Sequence, residues 1–382
     1  MRRVAHQRVA TVAQMNDQKV ETGSTIDGVY LLEAEAGRGS MGIVYRAKDL
    51  ARNTPVAVKI MRQGTAVDRR FRRLFRREAR AMARLNHPGI VEVHGCGVTE
   101  DDRPYLVMDW VHGEGLHLVT MPSSLSFVVT LVDRILEALA HAHARGVIHR
   151  DLKPANVLLS SHAIDTTSLL RGSVKIVDFG IARIFDLVKG GGRRTNILMS
   201  GSSTGGMNPE TRPYEVRLEG TPRYMAPELY RGQEGIISPA NDIYAVGVML
   251  WEFLCGRPVF DAENEAVLVA LQIRGDIPEC QPRPELGLLE PPTELLRSML
   301  TPDPLDRLDH ATEVRQQLLG WYRMQSDYRD LEASACVPSL ATVDTAAVDA
   351  WNQSNPLNET RSAPSYARIS SEPEINLLSW RL

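Results

Sequence analysis

The spacing of apolar positions changes character part-way along the chain. From Tyr30 to Val111 it forms short β-rich runs, at Ile43 to Tyr45, Pro55 to Met61 and Tyr105 to Met108. Between these runs Phe71, Leu74, Phe75, Met82 and Leu85 recur at three-to-four spacing, which predicts one helix. After Glu114 the pattern is helical, over Phe127 to His143 and Ile243 to Leu254. Strands followed by helices predict an α+β fold of two lobes. The small β-rich lobe would cover about 30–111 and the larger, mainly helical lobe about 112–320. No internal repeat is visible.

Other segments break the periodicity. Lys189 to Gly206 is rich in Gly, Ser and Thr and predicts a mobile loop. Residues 321–382 read as a disordered polar tail, with an apolar end at Ile375 to Leu382 that either docks on a partner or has no role. Residues 1–29 read as a flexible leader, basic and free of acids from Met1 to Gln14, and Met15 is an alternative start.

Composition narrows the classes. Among 382 residues, 43% are hydrophobic and 24% charged, as expected of a chain with a full core. A formal net charge of −3 gives no global attraction to nucleic acid or anionic membrane, so no nucleic-acid partner is expected. The longest strongly apolar stretch, Ala245 to Leu254, is too short to span a bilayer and contains Glu252, so it predicts a buried helix and no membrane span. Cys96, Cys255, Cys280 and Cys336 lack CxxC spacing, which points away from a zinc site or disulfide framework and toward a reducing cytoplasm.

Candidate chemistry begins at Gly37-Arg38-Gly39-Ser40-Met41-Gly42-Ile43-Val44, where missing Cβ atoms would let a hairpin backbone approach phosphates. Alone this could be any turn, but strand pattern rather than helix follows it, against a dinucleotide fold. Lys59 lies in the apolar strand Val56-Ala57-Val58-Lys59-Ile60, and Glu78 falls on the apolar face of the predicted helix. A carboxylate there is costly unless a cation meets it, and Lys59 is the natural partner. Arg69, Arg70, Arg72, Arg73, Arg76, Arg77, Arg80 and Arg84 on that helix form either a solvated face or a docking surface for phosphate or an acidic partner. The run His149-Arg150-Asp151-Leu152-Lys153-Pro154-Ala155-Asn156-Val157-Leu158, followed by Asp178-Phe179-Gly180, supplies the parts of phosphoryl transfer. One carboxylate can take a hydroxyl proton, an amide and a second carboxylate can hold a divalent metal, and a lysine can neutralise the moving phosphoryl.

On these motifs the chain resembles the eukaryotic-like, Hanks-type serine/threonine protein kinases of bacteria, over roughly Tyr30 to Leu319. The resemblance implies a bilobal kinase fold, ATP with Mg2+ (or Mn2+) as cofactors, protein substrates, and a kinase homodimer for trans-autophosphorylation. By it, Gly37, Gly39 and Gly42 cover the phosphates, Lys59 holds the α- and β-phosphates while paired with Glu78, and Ala36 forms the adenine roof. Asp151 is the base, Lys153 lies near the γ-phosphate, and Asn156 and Asp178 hold magnesium. Val44, Ala57 and Leu158 become the adenine walls, Met108 the gatekeeper, and Asp109 to Val111 the hinge whose backbone binds adenine. Gly220 to Glu228, with Thr221, matches the substrate-side loop; Arg307 would pair with Glu228, and Asp242 would anchor the catalytic loop.

Departures from the family pattern matter. The segment from Asp178 to Glu228 is long, and Glu215 to Glu219 contain no Ser or Thr. Either Thr211 or the cluster Thr195, Ser200, Ser202, Ser203 and Thr204 is autophosphorylated, or Glu215 or Glu219 supplies a fixed charge for Arg150. Ala36 is smaller than the family's usual aliphatic residue. A binding scaffold is disfavoured because lysine, base and metal residues are all present, and a small-molecule kinase because Gly220 to Glu228 is present.

Overall fold

The computed structural model describes residues 20–39, 42–62, 69–119, 124–160, 172–179, 222–230, 237–288 and 290–325, with backbone alone at 69–71. Ser40, Met41, Gly180, Thr221, the candidate phosphosites, Glu215, Glu219, most of the leader and most of the tail lie outside them.

The first lobe is a six-stranded antiparallel sheet ordered β1-β2-β3-β4-β6-β5. Its strands are β1 (Thr25–Ile26), β2 (Tyr30–Arg38), β3 (Gly42–Asp49), β4 (Thr54–Met61), β5 (Val93–Val98) and β6 (Pro104–Asp109), with α1 (Arg69–Met82) inserted after β4. Period-two alternation sorts the residues of β4 and β6 between two clusters. Val56, Val58 and Ile60 of β4 join Tyr105 and Val107 of β6, with Leu32 and Tyr45, on one face. Ala57 and Met61 join Leu106 and Met108 on the other, packed with Phe75, Ala79 and Met82 of α1. Lys59 therefore emerges on the α1 side, buried. The helix buries Phe75, Ala79 and Met82 at the expected spacing, while Leu85 is buried just beyond its end. The folded chain also starts upstream of Tyr30, because β1 pairs with β2 and buries Ile26.

The second lobe carries a small sheet, β7 (Gly113–Gly115), β8 (Val157–Ser160) and β9 (Val174–Ile176), and the helices α2 (Leu125–His143), α3 (Pro227–Tyr230), α4 (Ala240–Cys255), α5 (Glu265–Arg274), α6 (Thr293–Leu300) and α7 (Ala311–Arg323). Ser124 caps α2 by accepting from the Phe127 N–H, so this helix begins earlier than its apolar run suggests. α4 is the buried helix expected around Ala245 to Leu254, with Glu252 its least buried residue. Among the described residues no helix is long and apolar enough to cross a membrane. α7 reaches past Leu319 because Trp321 and Tyr322 are buried. The lobes are joined near the cleft, where Val91 donates to the Ile176 carbonyl (3.1 Å) and Ile176 to that of Gly89 (2.8 Å).

The pairing expected between Arg307 and Glu228 lies in the helical interior. Arg307 donates to both carboxylate oxygens of Glu228 at 2.7 and 2.9 Å, and also to the carbonyls of Ala240, Thr301 and Pro302. The side chains are 0% and 1% exposed, so the sequence-based pairing of Arg307 with Glu228 is present. Removing one partner leaves the other charged and buried. Arg307→Met is expected to lower unfolding free energy by about 3–5 kcal/mol in urea titrations, and Glu228→Leu/Arg307→Met to recover much of that loss.

Candidate active site

The catalytic loop takes its shape from a strained backbone and a buried anion. Arg150 has φ 70° and Asp178 φ 65°, left-handed values that non-glycine residues seldom adopt. Asp242, at the start of α4, accepts from the backbone N–H groups of His149 and Arg150, both at 2.8 Å. A third bond joins it to His143 Nε2, also at 2.8 Å. Burial opposes ionisation of Asp242, but the bond and charge of His143 and the Arg150 amide together hold its carboxyl below the usual range. The expected anchoring of the catalytic loop by Asp242 is thus a direct contact. His143 was not foreseen, since nothing local in sequence marks it.

His149 links this loop to the 178–180 motif. Its Nε2 faces the Val177 carbonyl at 2.8 Å and must donate, which leaves Nδ1 to accept from the Asp151 N–H at 3.3 Å. Its ring also meets Phe179, with centroids 4.7 Å apart. Asp151 is held from two sides: Lys153 Nζ donates to Oδ2 at 2.8 Å, and Asn156 Nδ2 donates to the Asp151 carbonyl at 2.7 Å. With its nitrogen committed, Asn156 has its side-chain oxygen left for a cation.

Lys59 departs from expectation. Glu78, its expected partner, sits half-buried on α1. The ion pair given to Lys59 is with Asp178, Nζ to Oδ2 2.7 Å, the two side chains being 7% and 25% exposed. β4 directs this lysine beneath the hairpin toward Asp178, and a buried ammonium needs the nearest carboxylate. Asp178 and Asn156 offer oxygen ligands only. That set suits Mg2+ or Mn2+, which use few protein ligands and take the rest from phosphate and water. Among the described residues no group of three or more His, Cys, Asp or Glu forms a fuller metal cage.

The hairpin glycines differ in role. Among the described residues a Cβ at Gly37 or Gly39 would meet nothing within 4 Å, so no packing demand from them accounts for either. At Gly42 a Cβ would fall on the Ile60 carbonyl, so this glycine is needed for the close approach of β3 to β4. Ala36 is an exposed residue within a register shift between Glu35 and Gly37. Arg38 pairs with Glu35 at 3.1 Å. Ile43 belongs to the outer cluster, whereas Val44 is half-buried toward the α1 side.

Val44 lies opposite Lys59, and Ala57 opposite Met108. Leu158, half-buried, points away from the core residues Val157 and Leu159. Met108, Met82, Val93, Leu106, Ile176 and Phe179 surround a residual cavity of about 10 Å³, so the space behind the expected gatekeeper is filled. In the expected hinge, the Asp109 N–H is taken by the Glu92 carbonyl at 3.0 Å, and its carboxylate by His94 at 2.8 Å. Among the described residues no backbone carbonyl takes the Val111 N–H.

The strip from Pro222 to Met225, which the resemblance assigns to the substrate side, is fastened from α4 and α5. Tyr224 donates to Glu252 at 2.7 Å, and Gln272 donates to the carbonyls of Pro222 and Arg223 at 3.1 and 3.0 Å. Neither Glu252 nor Gln272 carries a sequence signal for this role.

Comparison with known proteins agrees with this geometry. The family model described as protein kinase domain matches residues 30–319. The chain is 34% identical over 341 residues to serine/threonine-protein kinase PknA of Mycobacterium tuberculosis, covering 85% of this chain and 70% of that protein. It is 32% identical to serine/threonine-protein kinase pkn3 of Myxococcus xanthus and 31% to PrkC of Bacillus subtilis, spanning 50% and 41% of their lengths. The crystal structure of the M. tuberculosis PknI kinase domain aligns with a TM-score of 0.53 at 26% identity, covering 79% of this chain and 100% of that one.

Because Asp242 titrates below its unfolded value, its stabilisation is complete above the ordinary aspartate pKa of about 3.9 and is lost as pH falls through the lower folded value. Asp242→Asn is expected to cost about 2 kcal/mol at neutral pH. In urea titrations the gap between the two proteins should narrow as pH drops from about 6 to about 3.

Proposed function

This chain belongs to the serine/threonine protein kinases of the bacterial type, and on that premise we propose that it transfers the γ-phosphoryl of ATP to Ser or Thr hydroxyls of proteins. The observation that carries the reading is the fixed placement of Asp151 between Lys153 and Asn156, beside a Lys59–Asp178 pair. Asp151 accepts the proton of the incoming hydroxyl, and Lys153 neutralises charge on the transferring group. Lys59 exchanges Asp178 for the α- and β-phosphates and for Glu78. Asp178 is then free, with Asn156, to hold Mg2+. Held by Asp178 and Asn156, the metal would supply positive charge that offsets the charge of the phosphates. Gly37, Gly39 and the 40–41 tip cover the phosphates; Val44, Ala57 and Leu158 enclose adenine; and Asp109 to Val111 hold its edge through the backbone.

We place the protein in the cytoplasm, acting on protein substrates and on a second copy of itself. Thr221 serves the substrate side of the site by the family motif, and Arg150 is answered by a phosphate at Thr211 or in the Thr195 to Thr204 cluster, or by Glu215 or Glu219. Purified protein incubated with labelled ATP and magnesium should label itself and a basic protein substrate on Ser and Thr. Asp151→Asn should lower the rate about 10²–10⁴-fold while leaving ATP affinity nearly unchanged. Equal labelling by both proteins would contradict the assignment of the base, and ATP binding without any labelling would favour a scaffold.

A further inference from the structure

Two cysteines far apart in sequence meet in the helical lobe. Cys255 is the last residue of α4, and Cys280 lies in the irregular stretch after α5. Their Sγ atoms are 3.2 Å apart and both residues are buried, 9% and 5% exposed. The contact is held from outside the thiols. Arg283, three residues past Cys280, donates its backbone N–H to the Leu254 carbonyl at 2.8 Å. Its guanidinium donates twice to the Phe253 carbonyl, at 3.1 and 2.8 Å. The end of α4 is thereby clamped to the stretch that carries Cys280, which holds the two sulfurs in contact. Both thiols are free in the structure.

We infer that Cys255 and Cys280 form a modification site, a thiol pair converted to an intramolecular disulfide by hydroperoxides. Cys255 attacks the peroxide oxygen, which breaks the O–O bond, leaves a sulfenic acid on Cys255 and releases water. The Cys280 sulfur then attacks that sulfenic sulfur, forming the S–S bond and releasing a second water. Two thiols thus give two electrons and two protons to one hydrogen peroxide, which becomes two waters. The division of roles follows the surroundings. The hydrogen bond from Cys280 favours the Cys255 thiolate against the effect of burial, with help from a Gln281 backbone bond, Arg257 and Arg283. The same bond, followed by burial, pushes the Cys280 thiol up. Cys96, in the β-sheet lobe, is pushed up to about 11 by burial and should stay inert.

The stretch between the two sulfurs contains α5, whose Gln272 grips the Pro222 and Arg223 carbonyls. The bond would close both ends of that stretch covalently, beside the strip that meets protein substrate on the function proposed above. Chemistry at the sulfurs is read by mass and does not depend on that function.

The test uses the full chain, reduced, exchanged into buffer, titrated with hydrogen peroxide, and blocked with an alkylating reagent before unreduced peptide mapping. The expected product is a monomer about 2 Da lighter, with a Cys255–Cys280 linked peptide that a dithiol reductant reverses. In Cys280→Ser the linked peptide should vanish and a sulfenic-acid probe should label Cys255. Wild-type protein in which both thiols stay alkylatable while Cys96 or Cys336 oxidises would overturn the proposal, as would linkage only between molecules.

Discussion

Two consecutive backbone amides, those of His149 and Arg150, end on one carboxylate buried under the catalytic loop, and the reacting groups take their places from that contact. Arg150 carries a left-handed backbone, a conformation costing about 1–3 kcal/mol that persists only where its surroundings over-determine it. Asp242 supplies that determination. It is anionic because His143 and the amides outweigh its burial, and it sits in the first turn of α4, whose residues are buried almost throughout. From there the chain of contacts runs through His149 to Val177 and Phe179 on one side, and to the Asp151 amide on the other. One anion thus sets the position of the proposed base relative to the proposed metal ligand.

The cleft charges are neutralised in pairs, Lys59 with Asp178 and Lys153 with Asp151. Pairing keeps buried charges tolerable, and it also defines what a ligand must do. A polyphosphate with its metal can take Lys59 and Asp178 together, because it supplies anionic oxygens to the lysine and a cation to the carboxylate. A neutral ligand could do neither. The glycines at 37 and 39 fit this account, since their missing side chains leave space that no described residue fills.

Much of this was legible in the sequence wherever the signal was local. The carboxylate on the predicted helix pointed to Lys59 on the helix side of its strand, the run from His149 to Asn156 carried its own chemistry, and the pairing of Arg307 with Glu228 followed from family resemblance. What escaped was long-range. Lys59 meets Asp178 because of how the lobes close on one another, which no spacing within β4 or α1 encodes. His143, Gln272 and the Cys255–Cys280 contact each join residues from separate elements through helix packing. Gly42 looked like a phosphate-loop residue but is required by the close passage of β4. Boundaries moved for physical reasons too: Ser124 capped a helix earlier, and Ile26 and Trp321 extended the core beyond the range that motifs suggested.

Amide hydrogen exchange at His149 and Arg150 tests most directly whether the buried Asp242 holds the loop. If it does, both amides open only with the whole helical lobe, and their opening free energies match those of core amides in α4 such as Leu250. Exchange at rates typical of an exposed loop, while Leu250 stays protected, would mean that the catalytic loop is not held by Asp242.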